Sequence, residues 1–297
     1  MKPVTQCPVC RSEDLRPYAM VNWSPTTLHF AQVRCAGCGL LVSQPQATDE
    51  EMREYYENIY YQEIWPDHDS IWVENSRHYR DYEWPQFQSL WKDWPPPPGG
   101  RAVEIGCGYG VMLGLLREEG FQVSGCELSP VAVNVCRQHG LDVVVGKAPG
   151  VPLPKGEFDL AVSLHVIEHL SDPIGFVGEL IELVRPGGVV AIVTEDGWTS
   201  QYQWNRLKAR LSGRLPPLHT STDHTFVFQA HHLAALLHQA GCDAVRTRSF
   251  PKVPKKESLH WKLFKGVCRQ LDRLLGHGDT LLAVGRRKCE DSVKRGH

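Results

Sequence analysis

Nowhere in the 297 residues is there an apolar run approaching the ~18 residues that a membrane-spanning helix needs, which excludes an integral membrane protein of that kind. The N-terminus, MKPVTQCPVC, lacks the apolar core of a signal peptide, so a cytoplasmic protein is expected. The marks of a disordered or collagenous chain are missing too, because 42% of residues are hydrophobic and only 22% charged. The ten cysteines do not form a secreted disulfide framework: four make two tight pairs near the N-terminus and six are scattered singly, as expected of reduced thiols with one metal site. Net charge is low, −2, but unevenly spread. Residues 1–200 carry 14 Lys and Arg against 27 Asp and Glu, whereas residues 201–297 carry 18 against 7. The basic part suits a phosphate, a nucleic acid or an anionic membrane, or is an ordinary solvated surface.

The length is enough for one large domain or two modest ones with an ample core. Residues 1–47 hold Cys7-Pro-Val-Cys10 and Cys35-Ala-Gly-Cys38-Gly39. Each CxxC makes a turn with two sulfurs facing one point, and two such turns supply the four thiolates of a closed tetrahedral Zn²⁺ site. Stretches such as Thr27 to Val33 suit short strands, so this segment reads as a zinc ribbon with a structural metal held by Cys7, Cys10, Cys35 and Cys38.

Residues 48–94 form an aromatic-rich helical segment, expected to cover a ligand cleft. Thr48-Asp49-Glu50-Glu51 is a capping box, and a second helix around Trp72 to Trp94 is interrupted near Pro85. Residues 95–100, Pro-Pro-Pro-Pro-Gly-Gly, are a stiff linker. From Arg101 to the end of the chain, 101–297, apolar strands alternate with amphipathic helices, the pattern of a doubly wound α/β sheet. The last two strands lack a helical crossover and are expected to pair antiparallel. The stretch 197–222 reads as irregular, and no internal repeat is present.

Val103-Glu104-Ile105-Gly106-Cys107-Gly108-Tyr109-Gly110 follows a strand and opens a helix, where glycine permits a tight turn and close approach to a ligand. Val111 stands where a dinucleotide loop needs its third glycine, and the Lys-Ser/Thr of a phosphate loop is missing. The loop therefore suits an adenosyl ligand without a pyrophosphate. Glu127 ends the next strand, where a carboxylate accepts from both hydroxyls of a ribose.

With Phe158 to Leu170 (FDLAVSLHVIEHL) and Leu183 to Val190 (LVRPGGVV), the chain resembles the class I S-adenosylmethionine (SAM)-dependent methyltransferases. The resemblance is to the branch containing ubiquinone-biosynthesis O-methyltransferases, in a bacterial subgroup with an N-terminal zinc ribbon. It implies an α/β fold: a Rossmann-like seven-stranded sheet with the ribbon and the helical segment added in front. It implies that Glu104, where the family usually has Asp, and Gly106, Cys107, Gly108 and Gly110 cradle the methionine part of SAM. It implies that Glu127 binds the ribose, Leu128 packs on the adenine, Lys147 and Ala148 lie by the adenine amine, and His165 lies near the methyl group.

His165 and His224 are the two candidates for the base that takes the acceptor proton. The His165-x-x-Glu168-His169 spacing also matches an inverted zinc-protease motif, but a glycine-loop fold surrounds it and the sequence offers no third ligand. The expected activity is O-methylation of a small molecule, a saccharide or a lipid-linked sugar. The alternatives are an RNA methyltransferase with a zinc module, against which no recognised RNA-binding motif is present, and a non-catalytic partner subunit. Residues 251–278 form an insertion whose part 256–275 is a basic helix with one apolar stripe, including Leu263, Val267, Leu271 and Leu274. Such a helix either packs its stripe on the core or lies at the inner membrane surface as a peripheral anchor.

Overall fold

The computed structural model describes residues 3–20, 31–56, 72, 76, 77, 79–89, 93–95, 97–197, 199–213, 224–250, 267, 268, 270–272, 274 and 277–289. Two sheets make up its frame. The larger has seven strands: β4 (Arg101–Ile105), β5 (Gln122–Glu127), β6 (Asp142–Val145), β7 (Phe158–Leu164), β8 (Val184–Glu195), β10 (Cys242–Phe250) and β11 (Thr280–Arg287). Their order is β10-β11-β8-β7-β4-β5-β6. β4, β5, β6, β7 and β8 pair in parallel, while β11 is antiparallel to both β8 and β10, as expected for strands without a helical crossover.

The chain starts at the central β4, runs outward through β5 and β6, then returns to β7 on the other side of β4. That reversal opens a crevice at the carboxyl ends of β4 and β7, where ligands of such sheets bind. β7 is buried on both faces, which is why it is apolar at nearly every position. The helices begin on local signals. α3 (Val111–Glu118) starts from Gly110 at φ +77, and α4 (Pro130–Gln138) is capped by Ser129, whose side chain accepts from the Ala132 N–H. Asp172 caps α5 (Pro173–Leu183) in the same way, and α7 (Ala230–Gln239) packs on β10.

The smaller sheet is β1 (Leu15–Met20), β2 (Ala31–Cys35), β3 (Leu41–Gln44) and β9 (Phe226–Val227), in that order and antiparallel throughout. Its fourth strand comes from beyond β8 in the chain. Cys7, Val9, Cys35, Leu40 and Val42 share one apolar cluster with Phe176, Phe226, Phe228 and Leu233, so the cysteine module packs into the main core.

The helical segment contains α1 (Asp49–Tyr55), with the Thr48–Glu51 capping box formed from both sides. A π-helical turn over Tyr79–Glu83 then leads into α2 (Trp84–Gln88). Pro85 sits in the first turn of α2, where its missing N–H costs nothing.

The expectation for 197–222 is corrected: Ser200–Leu211 is a helix, α6, capped by Thr199. Its periodic apolar residues Trp204, Leu207 and Leu211 face outward, so its apolar pattern is not a core pattern. Within the insertion, residues 251–266 lie outside the described residues. Val267, Leu271 and Leu274 are exposed while Cys268 and Asp272 face inward, so the described part of that stripe does not pack on the core.

Candidate active site

The glycine loop follows β4. Gly106, Gly108 and Gly110 have φ of +72, +52 and +77, a region that favours glycine. A Cβ on Gly106 would come within 2.3 Å of Val166 Cγ2, so even alanine is excluded without displacing β-branched Val166. Glu127 fixes the loop from below: its two carboxylate oxygens accept from the Gly108 and Ser129 N–H groups, each at 2.9 Å. Glu104 is 3% exposed, and its Oε2 has no hydrogen-bond partner among the described residues. Burial pushes its carboxyl well above the usual range, helped by Cys136 and the nearby carboxylates of Glu127 and Glu83. A buried acid left in this state at a cavity wall suits a cationic ligand group.

A cavity of about 790 Å³ opens over these residues. Glu104, Gly106, Cys107, Gly108, Glu127, Leu128, Lys147, Ala148, His165 and His224 all line it. Gly110 does not; it turns the chain into α3 and packs over Cys136 and Leu141. The Lys147–Ala148 edge is steadied by Glu179, which accepts from Gly150 and Val151 N–H at 2.6 and 2.8 Å. Met52 and Tyr56 of the helical segment, with Tyr79 of the π-helical turn, line the same cavity.

The other end holds histidines and acids. His165, at φ +53, lies with Nδ1 3.4 Å from Glu168 Oε1 and Nε2 3.6 Å from Glu83 Oε1. Burial disfavours its charge, but the two carboxylates outweigh that and push its pKa up to about 10. Burial likewise opposes the charge on Glu168, yet His165 and the neighbouring His169 and His224 hold its pKa down at about 2. The two carboxylates thus favour the protonated ring, which leaves no lone pair with which to take a proton. This argues against its candidacy as the base.

The ion pairs give a first prediction. Replacing His165 by leucine removes the imidazole set between the buried carboxylates of Glu83 and Glu168 and lowers unfolding free energy by about 3 kcal/mol in denaturant titrations at pH 7. The His165 contribution is complete below its ordinary value of 6.5 and fades as pH rises through about 10. That of Glu168 is complete above 4.5 and is lost as pH falls through about 2. The gap between wild type and variant therefore narrows at both extremes.

His224 is 8% exposed, with Nδ1 3.6 Å from Glu195 Oε2. Its ring stands edge-on to His169 at 4.7 Å, and His169 meets Tyr56 edge-on at 6.1 Å. Ligand atoms of Glu168, His169 and His224 lie within 4.8 Å of one another. Two imidazoles and a carboxylate are a donor set that can hold a divalent transition metal. The fold thus brings His224 to Glu168 and His169, a grouping that sequence spacing does not reveal and that does not include His165. Sequence reasoning also passed over Glu195 and Glu83. Glu195 ends β8 much as Glu127 ends β5, a signal that was present. Glu83 arrives from the helical segment and has no such signal.

In the cysteine module, Cys7 and Cys38 sulfurs are 3.5 Å apart and Cys10 and Cys35 sulfurs 3.4 Å. All four lie within 4.8 Å of one another, close to the ~3.8 Å edges of a tetrahedron with ~2.3 Å metal–sulfur bonds. His231 and His232 each place Nε2 3.0 Å from the Cys38 carbonyl. On the module's far strand, Ser43 donates through Oγ to the His224 carbonyl at 2.7 Å and through its N–H to the Thr225 carbonyl at 2.8 Å. Thr225 N–H donates in turn to the Glu168 carbonyl at 2.7 Å. The module therefore grips the short strand that presents His224.

The seven-strand order, the glycine loop and the acid ending β5 coincide with a match of residues 76–247 to the family described as "Methyltransferase domain". The chain belongs to the class I SAM-dependent methyltransferases. Among curated relatives, it is 28% identical to a ubiquinone biosynthesis O-methyltransferase of Bordetella avium over 49% of this chain and 63% of that one. It is 30% identical to a tRNA (carboxymethyluridine(34)-5-O)-methyltransferase of Macaca fascicularis over 44% of this chain. The chain spans 63% of the first relative's length and 19% of the second's. A solved complex of the Haloferax volcanii Trm112 methyltransferase activator with a methyltransferase shares the fold. There the TM-score is 0.54 at 19% identity, covering 75% of this chain and 98% of that one. The sheet of this methyltransferase is the one that the sequence anticipates.

Proposed function

We propose that this methyltransferase methylates an oxygen of a small, partly apolar acceptor, with His224 as the base. SAM, when bound, supplies a sulfonium methyl group open to in-line attack. In this reading Glu104 meets the cationic methionine end, Glu127 the ribose, and the Lys147–Ala148 edge the adenine. Gly106 and Gly108 let the backbone approach, and Met52, Tyr56 and Tyr79 exclude water above. The acceptor O–H lies at the histidine end. As its oxygen forms the new bond to carbon and the carbon–sulfur bond breaks, its proton passes to the His224 ring, and Glu195 beside Nδ1 steadies the imidazolium formed. Cys7, Cys10, Cys35 and Cys38 bind Zn²⁺ as a structural clamp.

The observation that carries the choice of a small acceptor is the cavity itself, roofed by residues of the helical segment over the histidine cluster. A nucleotide within a folded RNA would have to be extruded to reach such a place. Incubation with methyl-labelled SAM and a cell extract, followed by separation of lipid, polar small-molecule and RNA fractions, tests the proposal. Label in the lipid or small-molecule fraction, released by ether cleavage, is expected. Label confined to RNA would overturn it.

A further inference from the structure

Among the described residues, eight large hydrophobic side chains are exposed, and six of them lie on two elements tied to one another. Helix α6 is anchored by Tyr202, which is buried and shares a 2.7 Å hydrogen bond with the Tyr18 hydroxyl, and by Arg206, whose guanidinium lies 5.4 Å from the centre of the Tyr18 ring. The opposite face presents Trp204, Leu207 and Leu211, one stripe at helical spacing, with exposures of 46%, 46% and 79%. Lys208 sits within that stripe, its ammonium 6.0 Å from the Trp204 ring.

The described helical residues 267, 268, 270–272 and 274 repeat the arrangement. Cys268 and Asp272 are buried, and Asp272 accepts from the Ser200 N–H at the start of α6 at 2.7 Å. Val267, Leu271 and Leu274 point outward. The sequence around both stripes is basic. Residues 200–211 carry three basic and no acidic side chains, and residues 251–275 carry seven basic against two acidic.

An apolar stripe bordered by Lys208 and Trp204, joined by a second stripe in a basic stretch of sequence, has the chemistry of a surface that sinks into the headgroup layer of an anionic bilayer. A second copy fits less well, because docking this face on itself would set like charges against each other. RNA would use the positive charge but leave the six apolar side chains in water. We propose that α6, with Val267, Leu271 and Leu274, seats this enzyme on an anionic lipid surface, and that its acceptor is an amphipathic molecule drawn from that surface. The second clause rests on the methyltransferase reading of the cavity. Glu195, at the cavity wall, is followed by α6 after four residues, so the chain leads from the acceptor end directly into the docked helix.

Full-length protein mixed with sedimenting vesicles of phosphatidylcholine, with or without phosphatidylglycerol, provides the test, with SAM calorimetry run on the same samples. Pelleting should require phosphatidylglycerol and be reversed by high salt. The triple variant Trp204→Ser, Leu207→Gln, Leu211→Gln should lower the bound fraction about tenfold or more while SAM affinity stays unchanged. These substitutions lie on the exposed face, and unchanged SAM binding also reports that the variant is folded. Should that variant not fold, Lys208→Glu with Arg210→Glu is expected to lower binding in the same assay.

Wild-type protein remaining in the supernatant with phosphatidylglycerol vesicles, or folded variants pelleting like wild type, would overturn the docking proposal. So would a wild-type dimer in light scattering that the triple variant converts to monomer without lipid, since the face would then belong to a second copy. Pelleting without SAM binding would leave docking intact and sink the cavity reading. SAM binding without pelleting would do the reverse.

Discussion

Exchange of His224 for alanine lowers kcat by about 10²–10⁴-fold, the usual contribution of a positioned proton acceptor. SAM affinity stays within about twofold, because His224 belongs to the acceptor end and makes none of the contacts assigned to the glycine loop or Glu127. The conservative change Glu195→Gln keeps the shape but removes the carboxylate 3.6 Å from His224 Nδ1, and should cost kcat less, about tenfold. His165 behaves differently. It lies between the carboxylates of Glu83 and Glu168, so its replacement shows first as lost stability. Steady-state kinetics with the acceptor identified by methyl labelling, combined with SAM calorimetry, separate these effects. A His224→Ala enzyme with unchanged kcat would remove the assigned base.

Loss of the Zn²⁺ proposed for the cysteine module is the second large effect. Cys7→Ser with Cys38→Ser, or a strong chelator, should abolish bound Zn²⁺ and lower unfolding free energy by about 5 kcal/mol or more. Metal binding to small modules of this kind contributes on the order of 10 kcal/mol. The loss reaches the main domain because Cys7 and Cys35 share a core cluster with Phe226, Phe228 and Leu233. It also reaches the chemistry. Ser43 of β3 holds the backbone at His224 and Thr225, so a loosened module lets the base drift while the glycine loop, on the other sheet, stays formed. Methyl transfer should therefore fall by at least about tenfold under conditions where SAM still binds. Metal analysis, thermal melts and SAM titration on the same samples check this. Unchanged melting of the zinc-free double variant would contradict a structural role for the metal.

The strands and helices from Arg101 to Val190 were legible because each carries its own period and punctuation. Gly106 to Gly110 mark a turn out of a strand, and Ser129-Pro130 and Asp172-Pro173 each cap a helix. The cysteine pairs were equally plain, since ligand spacing is local. What stayed hidden depends on long-range pairing. β9 is two residues long, too short to carry a period, and exists because β3 and the backbone of Glu168 offer it partners. That pairing delivers His224 to Glu168 and His169, and no spacing in the sequence links them. α6 was misread because its apolar residues face outward, so the pattern that normally marks a core helix pointed nowhere obvious.

Titration calorimetry of the zinc-loaded protein with SAM, on wild type and on the Glu127→Ala and Gly106→Val variants, addresses the central claim most directly. Wild type should bind one SAM per chain. Glu127→Ala should weaken binding by about 10–100-fold, as expected when a charged acceptor of ribose hydroxyls is removed and the Gly108 N–H loses its partner. Gly106→Val should abolish binding, since its side chain would occupy the space of Val166 in a backbone conformation valine rarely adopts. No heat with wild type, or equal affinities for all three proteins, would contradict the account.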